Sequence, residues 1–311
     1  MRLGVDIGGT KTDVVAVDGG AIVARHRAAS GQGAEAVVAS TLAAVDALMK
    51  DASIGWPDIE SVGVGIPGSV VDGVVSYALN LGIDRVDLAG ELERAWGMRP
   101  VVDNDVNAAA LGAWTLRKGG SSLAYLNLGT GLASGLILDG KLWRGARGAA
   151  GEIGHISIDP AGPVDADGLP GAIEVYASGG GLVRQWGVEG AAARDVLDAA
   201  DAGDPRAEAI RDRLFFGLAS AVRVLVLTLD VENIVVGGGL AGQGNRLVEG
   251  ATMVIDGWAA SSSFLASLDL AGRMSLLDSK IPVAALGAAT LGAATLGETG
   301  LDGTRVEESR G

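Results

Sequence analysis

The sequence contains no cysteine, which excludes disulfides and thiolate metal ligands. No basic run is longer than Arg25-His26-Arg27, and the net charge is −14. A nucleic-acid partner is thereby disfavoured, because such binding rests on Lys and Arg neutralising phosphates; the acidity serves solubility. No stretch of about 18 apolar residues is present to cross a membrane. The N-terminus lacks the roughly 7–15-residue apolar segment of a signal peptide, so the cytoplasm is the expected location. Two nucleotide signatures are missing as well. There is no G-x-x-x-x-G-K-[ST] loop, and no G-x-G-x-x-G opens a helix after the first strand, which argues against a dinucleotide-binding oxidoreductase.

What remains is a chain with 48% hydrophobic and 20% charged residues, able to bury a large core and not disordered. Its 311 residues allow two domains or one domain with two lobes. Glycine accounts for 50 positions, about twice average usage. The glycines cluster with small apolar residues, which favours tight turns and close ligand approach over flexible linkers.

The first thirteen residues are the most informative. An apolar run from Leu3 to Ile7 carries one acid, Asp6, and breaks into Gly8-Gly9-Thr10-Lys11. Glycines there let backbone N–H groups approach a phosphate; Thr10 adds a hydroxyl and Lys11 a positive charge. Asp6 stands where a carboxylate could hold hydrated Mg²⁺. The plainer alternative is an ordinary Gly-rich hairpin turn.

Strands are expected at Asp13–Val17 and Ala21–Arg25, joined by the hairpin signal Asp18-Gly19-Gly20. Helical spacing covers 34–50. A strand at 61–66 ends in Pro67-Gly68, and 70–77 alternates around Asp72-Gly73 as a second hairpin. A helix at 87–96, a short strand at 100–102 and a helix at 106–117 follow. The pattern then restarts, with strands at 123–128 and 132–138 split by Gly129-Thr130-Gly131. Helices are expected at 174–186, 189–202 and 205–229, then a buried strand at 233–236 ending in Gly237-Gly238-Gly239. Residues 281–296 read as a small apolar helix with Pro282 near its start. Such an order predicts two related α/β lobes whose ligand-binding turns face one cleft. The expected division is a small lobe, 1–117, completed by a helix at about 281–300; a large lobe, 118–280; and a loose tail, 301–311.

Several groups could carry chemistry. Gly129-Thr130-Gly131 reads as a structural turn alone and as a second phosphate site when paired with Gly8-Gly9-Thr10. Gly237, Gly238 and Gly239 suit a nucleoside lying on backbone, or simply a tight strand-to-helix turn. Asp103-Asn104-Asp105-Val106-Asn107 stands between strand and helix, where Asp and Asn also serve as N-caps. Its functional reading makes Asp105 the base that takes a proton from a substrate hydroxyl, with Asn104 bonding the same sugar. Glu152 and His155 form a pair of hydroxyl binders in a Gly-flanked segment, while His26, at a strand end, is the bystander. Glu174 stands at a helix start, where the dipole alone favours a carboxylate.

These pieces, in this order, resemble the ROK family of sugar kinases within the actin-like, hexokinase-like ATPase superfamily. The matching stretches are Asp6-Ile-Gly-Gly-Thr-Lys11, Gly65-Ile-Pro-Gly68, Asn80-Leu81, Asn104-Asp105-Val-Asn107, Leu128-Gly-Thr-Gly131, Asp139 through His155, Glu174-Val-Tyr-Ala-Ser-Gly179 and Val235-Val-Gly-Gly-Gly239. The resemblance implies a two-lobed actin-like, ribonuclease H-like (hexokinase-type) α/β fold. It implies Asp105 as catalytic base, with Asn104, Glu152, His155 and Glu174 on sugar hydroxyls and Asn80 and Gly68 near the same pocket. It puts ATP phosphates at Gly8, Gly9, Thr10 and Lys11 and at Thr130 and Gly131, adenosine near Gly237 to Gly239, and Mg²⁺ by Asp6 through water. Family members usually dimerise through the larger lobe.

Two departures stand out. The family's zinc pattern, C-x-C-G-x-x-G-C-x-E, reads here as Asp165-Ala-Asp167-Gly168-Leu-Pro-Gly171-Ala172-Ile-Glu174. Asp165 and Asp167 could hold a hard cation with His155, but Ala172 offers no ligand, so no zinc site is expected and prolines limit the loop's freedom instead. Ala133-Ser134 replace glycines after the second phosphate turn. Many family members are repressors with an N-terminal winged helix; this sequence opens directly at the phosphate strand, so a regulator is not the expectation. The reading is an ATP- and Mg²⁺-dependent kinase acting on the 6-OH of glucose or a close relative. An amino-sugar kinase of the kanosamine, N-acetylmannosamine or glucosamine type is the alternative. A catalytically idle sugar sensor would need Asp105 or a phosphate turn to be lost, and neither is.

Overall fold

Short apolar runs punctuated by glycine build two sheets of one design. The computed structural model describes residues 1–117, 120–165 and 168–297. Its contacts group the chain into two units, Met1–Ala108 together with the C-terminal helix, and Ala109–Val283.

In the first unit, strands β1 (Arg2–Ile7), β2 (Lys11–Asp18) and β3 (Ala21–Ala29) form an antiparallel meander. Helix α1 (Ala34–Ala52) leads to β4 (Ser61–Ile66), which runs parallel to β1. A side sheet of β5 (Ser69–Val71), β6 (Val74–Ala78) and β7 (Ile83–Asp87) precedes helix α2 (Leu88–Trp96). Strand β8 (Val101–Asn104) then pairs parallel with β4 and opens directly into helix α3 (Asp105–Leu116), inside which the two units divide. The main sheet has the order β3-β2-β1-β4-β8.

The second unit repeats the plan. Strands β9 (Ser122–Leu128), β10 (Leu132–Leu138) and β11 (Lys141–Trp143) form a meander. Helices α4 (Ile173–Ala177), α5 (Gly179–Trp186), α6 (Ala193–Asp201) and α7 (Pro205–Leu229) lead to β12 (Asn233–Gly237), parallel to β9. After α8 (Arg246–Ser261) and α9 (Ser263–Ser267), β13 (Met274–Leu276) completes the order β11-β10-β9-β12-β13. Helix α10 (Val283–Gly297) belongs almost wholly to the first unit.

Pleat alternation sorts the first unit's core. Leu3, Val5, Ile7 and Val14 face α1, where Val37, Val45 and Leu48 are buried with them. The other face presents Val15 and Val17 to Ala285, Leu286 and Ala289 of α10. That helix lies close because Gly4 and Gly63 have no side chains: a Cβ on either would stand 1.9 or 1.8 Å from a carbonyl oxygen of α10. In the second unit, Leu126, Leu128, Leu132 and Val236 meet Leu214, Leu218 and Leu225 of the long α7. Asp204 caps α7, accepting from the N–H groups of Arg206 and Ala207, and Pro205 occupies the first turn. Among the described residues no helix is long and apolar enough to cross a membrane.

Local structure departs from expectation at several places. The helix expected over 174–186 is two helices, because buried Ser178 is extended (φ −134°) and its Oγ caps α5 by accepting from Gly181 N–H. The next helix begins at Ala193 rather than 189, after Gly190 at φ +74° and with Asp195 bonding Ala192 N–H. His26 sits inside β3 rather than at a strand end. The run after Gly237 enters α8 through a short 3-10 turn, Gly239–Gln243. The tail at 301–311, like Asp167, lies outside the described residues.

Candidate functional site

Each unit brings part of the expected site together, and each part is built around a hairpin turn. In the first unit, Gly8 N–H donates to the Lys11 carbonyl at 2.9 Å, with Thr10 and Lys11 exposed. Gly9 packs against Asn80, and Gln32 Nε2 donates to the carbonyls of both, each at 3.3 Å. Gln32 carries no motif signal; only the fold reveals it.

A row of charge crosses this sheet. Asp6 on β1 pairs with Asp13 on β2, and Asp13 pairs with Arg27 on β3. Nearly buried Asp13 is held by both arginines, at 2.9 Å from Arg25 and 2.8 Å from Arg27. Asp6 keeps part of its surface open, yet its carboxyl is pushed up to about 8, first by burial, then by Asp105 and Asp13, with Arg27 opposing. A carboxyl so placed favours an approaching cation, and its oxygens suit hydrated Mg²⁺. The sequence signal was available: Arg25 and Arg27, two apart on one strand, share a face.

At the end of β8, residues 103–107 make the capping bonds that their Asp and Asn side chains offer. Asn104 Oδ1 accepts from Val106 N–H at 2.9 Å and Asn107 N–H at 3.3 Å, the pattern of an N-cap. Its Nδ2 donates to the Gly68 carbonyl at 3.1 Å. Gly68 takes φ +100°, where a Cβ would stand 2.6 Å from the Ser76 carbonyl oxygen. Asp103 is buried and accepts from Asn107 Nδ2 at 2.9 Å. Asp105, half-buried, begins α3, and its Oδ1 accepts from Val106 N–H.

In the second unit, Gly129 N–H donates to the Gly131 carbonyl at 3.0 Å. The turn is supported from behind, since Gly179 N–H and Gly180 N–H donate to the carbonyls of Gly129 and Thr130 at 2.8 and 3.0 Å. Glu174 Oε2 accepts from Leu132 N–H at 2.9 Å, and a Cβ on Gly131 would lie 2.5 Å from that oxygen. Gly154 packs equally close, a Cβ there falling 2.2 Å from the Leu132 carbonyl oxygen and 3.4 Å from Glu174 Cβ. The turn bearing Glu152 and His155, both exposed, is thereby gathered with Glu174 and Gly131. Gly238 (φ +83°) donates to the Tyr125 hydroxyl at 3.2 Å, and Gly237 lies under the same ring.

The zinc positions offer a poor donor set. Asp165 Oδ1 accepts from Leu169 N–H at 2.7 Å, and Ala172 is buried without a donor atom. Among the described residues no group of three or more His, Cys, Asp or Glu is arranged to hold a metal ion. A cavity of about 390 Å³, lined by Asp159, Gly162, Tyr176, Arg213 and Phe216 among others, includes none of the expected site residues.

Comparison with known proteins matches the model of the ROK family to residues 2–291. The chain is 31% identical over 273 residues to a glucokinase of Halalkalibacterium halodurans, covering 79% of this chain and 82% of that protein. It is 32% identical over 248 residues to an N-acetylmannosamine kinase of Vibrio cholerae, covering 76% and 83%. Its structure is similar to a ROK family glucokinase from Streptomyces griseus in complex with glucose and AMPPNP. That match has a TM-score of 0.76 at 29% identity, over 94% of this chain and 99% of the other.

Proposed function

The chain belongs to the ROK family and is a sugar kinase; we propose that it transfers the γ-phosphoryl group of ATP to the 6-OH of glucose or a closely related hexose. The observation that carries this reading is Asp105, a half-buried carboxylate at the end of a parallel strand, in the same unit as the Gly8–Lys11 turn and electrostatically coupled to Asp6. The sugar's 6-oxygen attacks the γ-phosphorus, its proton passes to Asp105, the bridging P–O bond to the β-phosphate breaks, and ADP leaves. A positioned base contributes ~10²–10⁴ in rate; positioning and charge stabilisation supply the rest.

Asn80, Asn104, Gly68, Glu152, His155 and Glu174 bind the sugar in this reading. Gly8, Gly9, Thr10 and Lys11 of the first turn and Thr130 and Gly131 of the second hold the phosphates, and Gly237, Gly238 and Gly239 take the adenosine. Asp6 would hold Mg²⁺ through water, and that ion would supply charge neutralisation on the phosphates. The reading makes the protein a cytoplasmic homodimer, joined through its second unit, with no nucleic-acid or membrane partner.

An N-acetylmannosamine kinase is 32% identical to this chain over 248 residues and a glucokinase 31% over 273, which keeps an amino-sugar kinase as the second reading. A coupled ADP-release assay across hexoses, N-acetylmannosamine, glucosamine and kanosamine separates them. Glucose is expected to give the highest kcat/KM. A preference for an amino sugar favours the second reading, and no ADP release with any sugar overturns both.

A further inference from the structure

Residues 156–172 connect the turn bearing Glu152 and His155 to the helix bearing Glu174, so their conformation bears on both. This is the stretch whose donor set does not fit zinc, and other contacts hold it. Ile158 N–H donates to the Gly171 carbonyl at 2.9 Å, Ile173 N–H to that of Ile156 at 3.0 Å, and Gly171 N–H to that of Pro163 at 2.8 Å. Ser157 Oγ donates to the Pro170 carbonyl at 2.7 Å. One side-chain bond ties the loop to α4: the Tyr176 hydroxyl donates to Asp159 Oδ2 at 3.0 Å, while Asp159 Oδ1 accepts from Ala161 N–H at 3.0 Å.

The surroundings are shaped to that bond. A Cβ on Gly162 would lie 2.1 Å from the Tyr176 hydroxyl, and one on Gly171, at φ +67°, would lie 1.8 Å from the Asp159 carbonyl oxygen. Tyr176 is 3% exposed and meets Phe216 of α7 edge-on, with ring centroids 6.2 Å apart. Burial and the neighbouring carboxylate push its phenol up to about 12, so it remains a donor at neutral pH. Helix α4 has only five residues, too few for its own hydrogen bonds to fix its orientation. Residues two apart point to opposite sides of a helix. Tyr176 therefore anchors α4 on the loop side while Glu174 reaches Leu132 N–H on the other.

We propose that the Tyr176–Asp159 hydrogen bond is a metal-free positioning device, bracketing in sequence the stretch that aligns with the family's zinc pattern and fixing α4 so that Glu174 is held for the sugar. The proposal rests on the reading of Glu174 as a sugar ligand, and the experiment separates the two.

The test measures kcat and KM for sugar and for ATP on the full chain and its variants, with circular dichroism to confirm folding. Tyr176→Phe keeps the ring and Asp159→Ala keeps the tyrosine, so failure of one to fold leaves the other to decide. Loss of one hydrogen bond of ordinary net strength predicts a roughly fivefold rise in sugar KM in each. In both variants kcat and ATP KM should stay within about twofold. Asp159→Asn, which keeps one acceptor oxygen for the phenol but turns its amide NH₂ toward Ala161 N–H, should bring sugar KM below that of Asp159→Ala. Wild-type protein dialysed against EDTA and resupplied with Mg²⁺ should be unchanged. Unaltered sugar KM in both Tyr176→Phe and Asp159→Ala overturns the proposal. So does a general fall in kcat with loss of folded protein, or a sugar KM that rises only on chelation and recovers with zinc. Glu174→Gln is the control: if it leaves sugar KM unchanged, the sugar-site reading fails. If it raises KM while Tyr176→Phe does not, only the positioning device fails.

Discussion

The turn at Gly8–Lys11 and the turn at Gly129–Gly131 close hairpins of one kind, in sheets of the same strand order. Around them the chemistry diverges. Two residues before its first glycine the first unit has Asp6, facing Asp13; the second has Asn127, facing Ala133. The fifth strand of the first sheet ends in Asp103-Asn104 and leads directly into Asp105 of α3. That of the second runs out toward Asp278, whose carboxylate accepts from Lys280 N–H at 2.9 Å. A duplicated scaffold thus repeats the glycine turn in both sheets but carries Asp6 and the 103–105 carboxylates on the strands of the first alone. Phosphate binding needs only backbone, whereas a base and a cation site need carboxylates at particular strand ends.

The largest expected effect breaks that asymmetry at its centre. Asp105→Asn should lower kcat by roughly 10³-fold, within the range for a positioned base, while glucose binding measured by calorimetry is retained. Asp278→Asn, at the comparable place in the second sheet, should stay within about twofold of wild type. Turnover near the wild-type rate in Asp105→Asn would end the assignment of the base.

The sheets also differ in what they admit. Gly4 pairs with Gly63 in the first, whereas the matching pair in the second, four residues before the turn glycine, is Tyr125 with Val235. The glycines let α10 lie against the strands; the tyrosine instead reaches Gly237 and Gly238. Gly63→Val would drive a side chain into the Ala288 carbonyl, and overpacking of that sort costs about 1–3 kcal/mol or more. Val235→Ala, a partial truncation, should cost less. Urea unfolding of the two variants ranks them, and the reverse order would mean that α10 is not held by close approach.

A pH series sharpens the contrast in charge. Burial raises the Asp6 carboxyl most, followed by Asp105 and by Asp13 facing it from β2, with Arg27 opposing. Its folded value of about 8 lies above the ordinary 3.8, so between those values the folded state binds more protons than the unfolded one. Stability from this group therefore falls as pH rises from about 4 to 8. In metal-free buffer, Asp6→Asn should gain thermal midpoint over wild type progressively across that window and level off above it. A constant difference at all pH values would show that Asp6 titrates as an ordinary carboxyl.

Strands and glycine turns were legible because period-two alternation and Gly-containing turns are local signals. The hairpins around Gly19-Gly20 and Asp72-Gly73 and helix α7, expected and found at 205–229, belong to this class. What depends on distant partners was not. Strand β7 reads as charged residues and β13 is three residues long. The break at Ser178 depends on a cap within an otherwise helical run. Glu174 was a candidate from the family pattern, but its bond to Leu132, 42 positions away, was not legible. Asp13 was in view from the start, and its role emerged only when β3 brought Arg25 and Arg27 beside it.

The smallest effect concerns how each turn is supported. The second turn rests on backbone, with Gly179 and Gly180 N–H groups holding the carbonyls of Gly129 and Thr130, so no side-chain truncation removes that support. The first leans on a side chain, Gln32, whose amide spans Gly9 and Asn80 at 3.3 Å each. Both bonds are long and partly exposed, and together they should contribute no more than about 1 kcal/mol. Gln32→Ala should therefore raise KM for sugar and ATP together by roughly two- to fivefold, because one amide steadies both the phosphate turn and Asn80. Stability in urea should fall by no more than about 1 kcal/mol. A rise confined to one substrate would mean that Gly9 and Asn80 are ordered independently, and that the first turn, like the second, is held by its backbone.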